Sequence, residues 1–455
     1  MAGKLTMENL KAAVADGSID TVIAAQVDMQ GRLMGKRFHG EFFIDRAWRE
    51  THCCNYLLAT DMEMHPVGDY KSTSWQSGYG DYVMKPDLDT LRKVPWLEGT
   101  ALVICDVLDP HTHEEVPHSP RTMLKKQIAL LKAAGLNAMF ASELEFFIFK
   151  QSFEQAQEQG YQNLSPISAY NEDYHIFQTT KEEGLMRAIR NGLNGADVPV
   201  ENSKGEACSG QEEINVRYTD TLNMADRHTI IKQGCKDIAW QQGHAISFLA
   251  KWSYDAAGSS SHIHQSLCDK NGTPVFFDKS QPHGMSKLMK RYLAGLLKYS
   301  RDITYFLAPY INSYKRFMEG TFAPTKSVWS MDNRTAGFRI VGENTASIRI
   351  ECRIGGSDLN PHLAMAALLA AGLKGMEEQL ELEDMYNGDA YQGKDLPEIP
   401  LTLREATLAL ASSDMLREAF GSDVIEHYAR AAMWEQEQYD RRVTDWEVNR
   451  GFERA

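Results

Sequence analysis

The segment Met139–Phe149 (MFASELEFFIF) sets two glutamates, Glu143 and Glu145, into a run that is otherwise mostly apolar and aromatic. Side chains alternate across a strand, so both carboxylates point to the same face. Neighbouring carboxylates repel unless a cation lies between them. Phe146, Phe147, Ile148 and Phe149 argue for burial, where an unpaired charge is expensive. The strand is therefore either the solvated edge of a sheet or one wall of a cation site, and taken alone it fits both.

The surrounding pattern is α+β. Leu5–Asp16 has a helical apolar rhythm that stops at Gly17, Thr21–Asp28 reads as a strand, and Met29–Arg32 reads as a turn. Ala101–Val107 reads as a buried strand closed by Asp109-Pro110. Ser119-Pro120 predicts a helix start, with Ser as N-cap and Pro in the first turn, and Gly135 its stop. Further strands are expected at Met139–Phe149, Glu212–Tyr218, Ala245–Trp252, Ser261–Leu267, Gly337–Val341 and Ser347–Ile354. Helices are expected at Met224–Gln242, Lys287–Leu307, Pro361–Leu380 and Leu403–Ser412. A chain of 455 residues exceeds one ordinary core, and a boundary near His111–His118 divides it into residues 1–112 and 113–455.

More acidic residues follow at Glu206, Glu212, Glu213 and Glu351, and His262 and His264 share one strand face. Carboxylates with one or two imidazoles suit hard divalent ions such as Mg²⁺ or Mn²⁺. A zinc site would be richer in cysteine, and the 7 cysteines here lack CxxC spacing. They read as reduced thiols, and Met1–Leu5 lacks a signal-peptide pattern, so a cytoplasmic protein is expected. Arg316, Arg334, Arg339, Arg349 and Arg353 are interleaved with apolar residues and suit phosphate oxygens or substrate carboxylates; structural ion pairs are the other reading. The net charge of −14 argues against nucleic acid and anionic membranes as partners. The most apolar stretch, Leu363–Leu373, is short and Ala-rich and reads as a buried helix.

The order of these motifs resembles the glutamine synthetase superfamily. It runs Glu143-Leu144-Glu145, then Glu206 with Gly210-Gln211-Glu212-Glu213, then Lys251, then Gly258-Ser259 and His262-Ile263-His264. Asn312-Ser313-Tyr314-Lys315-Arg316, Asn333-Arg334, Arg349–Arg353 and Asn360-Pro361 complete it, from about residue 20 to 380. The resemblance implies a small β-grasp N-terminal domain and a catalytic domain with a curved antiparallel sheet and surrounding helices. It implies Glu145, Glu206 and Glu213 as ligands of one metal, and Glu143, His262 and Glu351 as ligands of a second. His264, Ser266, Arg339 and Arg349 would contact ATP, while Gly258, Arg316, Arg334 and Arg353 would hold the acid substrate. Arg339, Arg334 and Asp61 would form the catalytic set, Asp61 in the place of an ammonium-binding aspartate. Cofactors would be ATP and Mg²⁺ (or Mn²⁺), and the assembly a homo-oligomer of stacked rings, a dodecamer, with sites shared between neighbours.

The chain departs from the ammonia-using pattern in its flap. Where that pattern has glutamate two residues before proline, Gly320-Thr321-Phe322-Ala323-Pro324 has Phe322. Phe322 cannot accept a proton but can contact an apolar or aromatic amine; packing is the lesser reading. Ala257 stands where asparagine is common, Asp61 lacks the flanking Gly-Ser of the family, and Trp75 and Tyr79 could line an amine pocket or pack between subunits. The flap and Asp332–Arg339 segments resemble γ-glutamylamide ligases of amine and aniline catabolism. The resulting expectation is ATP-dependent joining of the L-glutamate γ-carboxylate to an aryl or short alkyl amine, such as aniline or isopropylamine. A glutamine synthetase using ammonia would require a flap carboxylate. A catalytically silent homologue or amine sensor would have no use for a full set of metal and phosphate residues.

Overall fold

Short runs of β-branched and apolar residues between Thr21 and Leu108 build the first sheet of the computed structural model, which describes residues 3–455. Its strands are β1 (Thr21–Val27), β2 (Leu33–His39), β3 (Thr51–Cys54), β4 (Asp81–Pro86), β5 (Arg92–Lys93) and β6 (Thr100–Leu108). The spatial order is β2-β1-β6-β4-β3, with β5 on β6. β1 and β6 run parallel while β1 and β2 form an antiparallel hairpin. The expected first helix is present as Met7–Ala15, started by a capping box at Thr6.

The second sheet contains β7 (Leu136–Phe149), β8 (Val200–Gly205), β9 (Gln211–Val216), β10 (Thr219–Asp220), β11 (Ala245–Ser247), β12 (Ser261–Asp269), β13 (Trp329–Met331), β14 (Phe338–Val341) and β15 (Arg349–Cys352). Its order is β13-β14-β15-β12-β7-β9-β8, with β10 and β11 also pairing with β7. β13 and β14 pair in parallel; the other ladders of this sheet are antiparallel. The fold is α+β: helices Pro120–Ala133, Thr221–Gln241, Lys287–Lys298, Ser300–Leu307 and Pro361–Glu377 pack around this sheet.

Pro361–Glu377 is the apolar helix read from Leu363–Leu373, and all residues from Pro361 to Gly372 are buried. Among the described residues no helix is long and apolar enough to cross a membrane. Asn360 caps this helix, its side chain accepting from the His362 and Leu363 amides. Its Nδ2 also donates to the Asp28 and Met29 carbonyls at 3.0 and 3.1 Å, which docks the β1–β2 turn on the helix start. Gly31 in that turn has φ of +79°, and a Cβ there would lie 3.1 Å from Asn360 Cα.

Three expected features take a different form. Ser119 occupies the N-cap position of Pro120–Ala133, but its side chain makes no capping bond. The helix expected over Lys287–Leu307 is two helices that meet at Tyr299, because the apolar period continues through a change of axis that pattern alone does not register. The strand expected over Ala245–Trp252 ends at Ser247. Beyond it, the Asn312 side chain accepts from the Lys251 amide at 2.9 Å and donates to the Lys251 carbonyl at 2.7 Å, taking the place of a ladder partner.

Candidate active site

Strand register assembles the site. Glu145 faces Glu213 across β7 and β9, and Glu143 faces His262 across β7 and β12. His264 faces Glu351 across β12 and β15, and Glu351 faces Arg339 across β15 and β14. Residues far apart in the chain thus become direct cross-strand neighbours on one face. Glu206 reaches the same place from the loop between β8 and β9.

Glu145, Glu206 and Glu213 can each present an oxygen within 4.8 Å of the others. Glu145 is buried, accepting from the Ser260 amide at 2.7 Å and from Gln211 Nε2 at 3.2 Å. Burial, with the charges of Glu206 and Glu213, holds its carboxyl well above the ordinary value. Burial and the charges of Glu143 and Glu206 push Glu213 up to about 8. The three cannot all be ionised cheaply without a cation, which is the behaviour of a metal-ligand set. Lys204 Nζ contacts Glu206 from outside.

Beside this group, Glu143 accepts from His264 Nε2 at 2.8 Å and lies 3.3 Å from His262 Nδ1. Burial opposes ionisation of Glu143, but the two imidazoles overcome it and hold the carboxyl far below the carboxylate range. His262 Nδ1 also lies 3.6 Å from Glu351, and its Nε2 is buried without a hydrogen-bond partner. Burial and the Arg353 charge push His262 down to about 4, so it is neutral and able to act as a ligand at neutral pH. Glu143 and Glu351 can each present an oxygen within 4.8 Å of a His264 nitrogen, and Glu143 and Glu213 within 4.8 Å of a His262 nitrogen, so the expected second set of Glu143, His262 and Glu351 forms part of one mixed carboxylate–imidazole cluster of the kind that holds a hard divalent ion. Glu351 is fully buried and meets Arg339 at 2.8 Å as well as Arg353. Burial works against its charge, yet Arg353 and the two histidines hold its carboxyl down at about 2.

The arginines line this wall. Arg339 also meets Asp332, and Arg349 Nε donates to His264 Nδ1 at 3.2 Å. Arg353 Nε donates to the Arg334 carbonyl at 3.2 Å and its Nη2 to the Phe322 carbonyl at 3.4 Å, which ties the flap to the site. Arg334 and Phe322 are exposed, and Phe322 has φ of 58°. Arg316 is buried against the Ser260 hydroxyl and the Arg353 and Ile354 carbonyls. A Cβ on Gly258 would lie 2.3 Å from Arg316 Cγ, so only glycine admits that approach. Ser266 follows His262 and His264 along the same face of β12.

Asp61 is placed elsewhere within the chain. It accepts from Trp434 Nε1 at 3.2 Å and from the His65 amide at 2.8 Å, and none of its hydrogen bonds goes to the carboxylate cluster. Trp75 and Tyr79 stack edge-on at 5.0 Å, with Trp75 exposed. Sequence reasoning did not anticipate Gln211 as a partner of Glu145, or Lys204 beside Glu206; only their places next to the acidic residues signalled them. It also missed Glu172 and Glu182, which lie with Glu212 in a separate buried group.

Residues 117–451 match the family described as glutamine synthetase, catalytic domain. The chain is 44% identical to the γ-glutamylethanolamide synthetase GlnA4 of Streptomyces coelicolor, over 99% of this chain and 96% of that protein. It is 36% identical to a glutamate–isopropylamine ligase of a Pseudomonas species, over 95% of each. It is 33% identical to the glutamine synthetase of Thermus thermophilus, over 81% of this chain and 84% of that one. Among solved structures, a GmaS–ADP complex superposes with a TM-score of 0.85 at 23% identity, covering 97% of this chain and 99% of that one.

Proposed function

The chain belongs to the glutamine synthetase family, and from that premise we propose that it joins the γ-carboxylate of L-glutamate to an organic amine in an ATP-driven reaction. The observation that carries the choice of amine over ammonia is Phe322, an exposed aromatic ring at the flap position two before Pro324. A ring there can contact an alkyl or aryl substituent and exclude water, and it can neither neutralise ammonium nor take its proton. Relatives named for ethanolamide and isopropylamine products support this reading.

In the proposed reaction a glutamate γ-carboxylate oxygen attacks the γ-phosphorus of ATP, releasing ADP and giving γ-glutamyl phosphate. The amine nitrogen then attacks the acyl carbon, phosphate leaves, and the surplus amine proton is lost. Glu145, Glu206 and Glu213 would hold one divalent ion, and Glu143, His262 and Glu351 a second; such ions offset charge on the phosphates and on the attacking carboxylate. Arg339 and Arg349 would bind phosphate oxygens, assisted by His264 and Ser266 on the nucleotide. Arg316, Arg353, Arg334 and Gly258 form the acid-substrate end. Arg353, bonded to both Glu351 and the Phe322 carbonyl, couples the flap to the phosphate-handling wall, so flap closure would shield the acyl phosphate from water. Asp61 would act on the amine from a neighbouring copy in a stacked-ring homo-oligomer of cytoplasmic protein.

The test is phosphate release from ATP with glutamate and Mg²⁺ across ammonium, methylamine, isopropylamine, ethanolamine, putrescine and aniline. Turnover with one organic amine at least about tenfold above ammonium is expected. Preference for ammonium would make the chain a divergent glutamine synthetase, and silence throughout would point to another acid substrate or to a silent homologue.

A further inference from the structure

We propose that Glu172, Glu182 and Glu212 form a third divalent-cation site, on the opposite face of β9 from the candidate active site. Glu212 and Glu213 are consecutive on that strand, so their side chains point to opposite faces. Glu213 enters the active-site cluster, while Glu212 turns toward the core side shared by Ile214 and, across the ladder, Phe146. There it meets Glu172 and Glu182, with one oxygen of each within 4.8 Å of the others.

The group is almost wholly buried: Glu172, Glu182 and Glu212 are 0%, 3% and 1% exposed. Both oxygens of Glu182, Oε2 of Glu172 and Oε1 of Glu212 have no hydrogen-bond partner. Among the described residues none of the three forms an ion pair with lysine or arginine. The nearby cations are committed elsewhere: Lys181 to Gln178 at 2.6 Å, Arg190 to Ser203 at 2.9 Å and to Glu183, and Lys204 to Glu206. Orphaned carboxylate oxygens converging in a buried group are the donor set of a hard cation such as Mg²⁺, Mn²⁺ or Ca²⁺. Without one, burial forces protons onto these groups.

The site would brace the active site from behind. Glu172 Oε1 accepts from the Gly210 amide, in the loop between Glu206 and Glu213, and from Ser168 Oγ. A Cβ on Gly205 would lie 2.6 Å from Glu172 Cβ, so the backbone leading into Glu206 rests directly on Glu172. A cation here fixes Gly205, Gly210 and Glu212 together, and with them the two neighbouring active-site glutamates.

The test is a count of bound Mn²⁺ by electron paramagnetic resonance on chelator-stripped, full-length protein. Wild type is expected to bind one more Mn²⁺ per chain than Glu182→Gln. A double variant, Glu145→Gln with Glu351→Gln, weakens both active-site groups; it is expected to retain one Mn²⁺ per chain, to melt higher in its presence, and to lose it when Glu182→Gln is added. Equal counts in wild type and Glu182→Gln, or no Mn²⁺ on the double variant, would mean that the three carboxyls share protons and hold no cation. Should Glu182→Gln fail to fold, retention or loss of Mn²⁺ by the double variant decides the matter alone.

Discussion

Glu351 concentrates the logic of the site in one side chain: a fully buried carboxylate paired with the guanidinium groups of Arg339 and Arg353. Glu351→Gln keeps the shape and removes the charge. It is expected to lower kcat for ATP turnover by at least about 10³-fold, the scale of losing one electrostatic group at a transferring centre, while thermal unfolding shows a folded chain. Activity within tenfold of wild type would remove Glu351 from the phosphate-handling set. Phe322→Glu tests the other end of the reaction. It should raise the ratio of kcat/KM for ammonium over the preferred amine by about tenfold or more, and an unchanged ratio would make Phe322 a packing residue. Glu143 with Glu145, and His262 with His264, were legible as same-face pairs because a strand's period of two fixes which residues share a face, whereas Glu213 and Glu351 entered only as further acidic residues in the family's motif order. Glu172 and Glu182 were not legible, because they lie outside the sheet, in a loop and at a helix start, and no period relates a loop to the strand beneath it. Glu212 carried a signal that its grouping with Glu206 and Glu213 concealed: an odd step along a strand points to the far side.

Elements were legible where one local force decided them. β7 and β12 extend slightly beyond their expected spans, and Leu403–Ser412 is a helix over the same residues. Where a side chain from a distant segment supplied the backbone's partner, as Asn312 does for Lys251, the apolar run suggested a strand that did not form. Two elements meet at a junction with a pH consequence. His427, on helix Ser422–Asp440, stacks at 4.2 Å on His118, just before helix Pro120–Ala133, with Tyr70 on its other side at 4.3 Å. His427 Nε2 lies 2.7 Å from the Leu58 carbonyl, and His118 lies 3.4 Å from the Tyr82 hydroxyl. Burial pushes His118 down to about 4, and burial with the neighbouring His118 holds His427 well below its ordinary value. The unfolded chain takes up these protons near pH 6.5, the folded chain only well below that. Stability from the pair is therefore present above about pH 6.5 and is lost as pH falls toward 4, for His118 by about 1.5 kcal/mol between pH 6.5 and 5. His118→Gln should lose less stability than wild type over that interval in urea denaturation. The comparison separates the histidine from the buried glutamates, whose raised pKa values act with the opposite sign. Identical pH dependence in the two proteins would show that His118 does not titrate on unfolding.

At the scale of the molecule, one expected catalytic residue stands apart from the others. Asp61 is carried by the segment between β3 and β4 and held by Trp434 from helix Ser422–Asp440, while the candidate metal and phosphate residues lie on or beside the second sheet. On the proposed reading that Asp61 acts on the amine, it would come from a second copy, as a ring of identical subunits with one repeated head-to-tail contact would allow. Complementation tests this directly. Asp61→Asn should keep the Trp434 bond yet lower amine-dependent turnover by about 10²-fold or more, and Glu351→Gln should be inactive for the reason given above. In a co-assembled mixture of equal parts, about one quarter of the shared sites pair an intact Asp61 with an intact Glu351. Activity should then return to about that fraction of wild type, whereas the same variants assembled separately and then mixed stay inactive. If co-assembly restores nothing while each variant still forms the full oligomer, each site is built within one chain, and Asp61 acts on the structure around Trp434 and not on the amine.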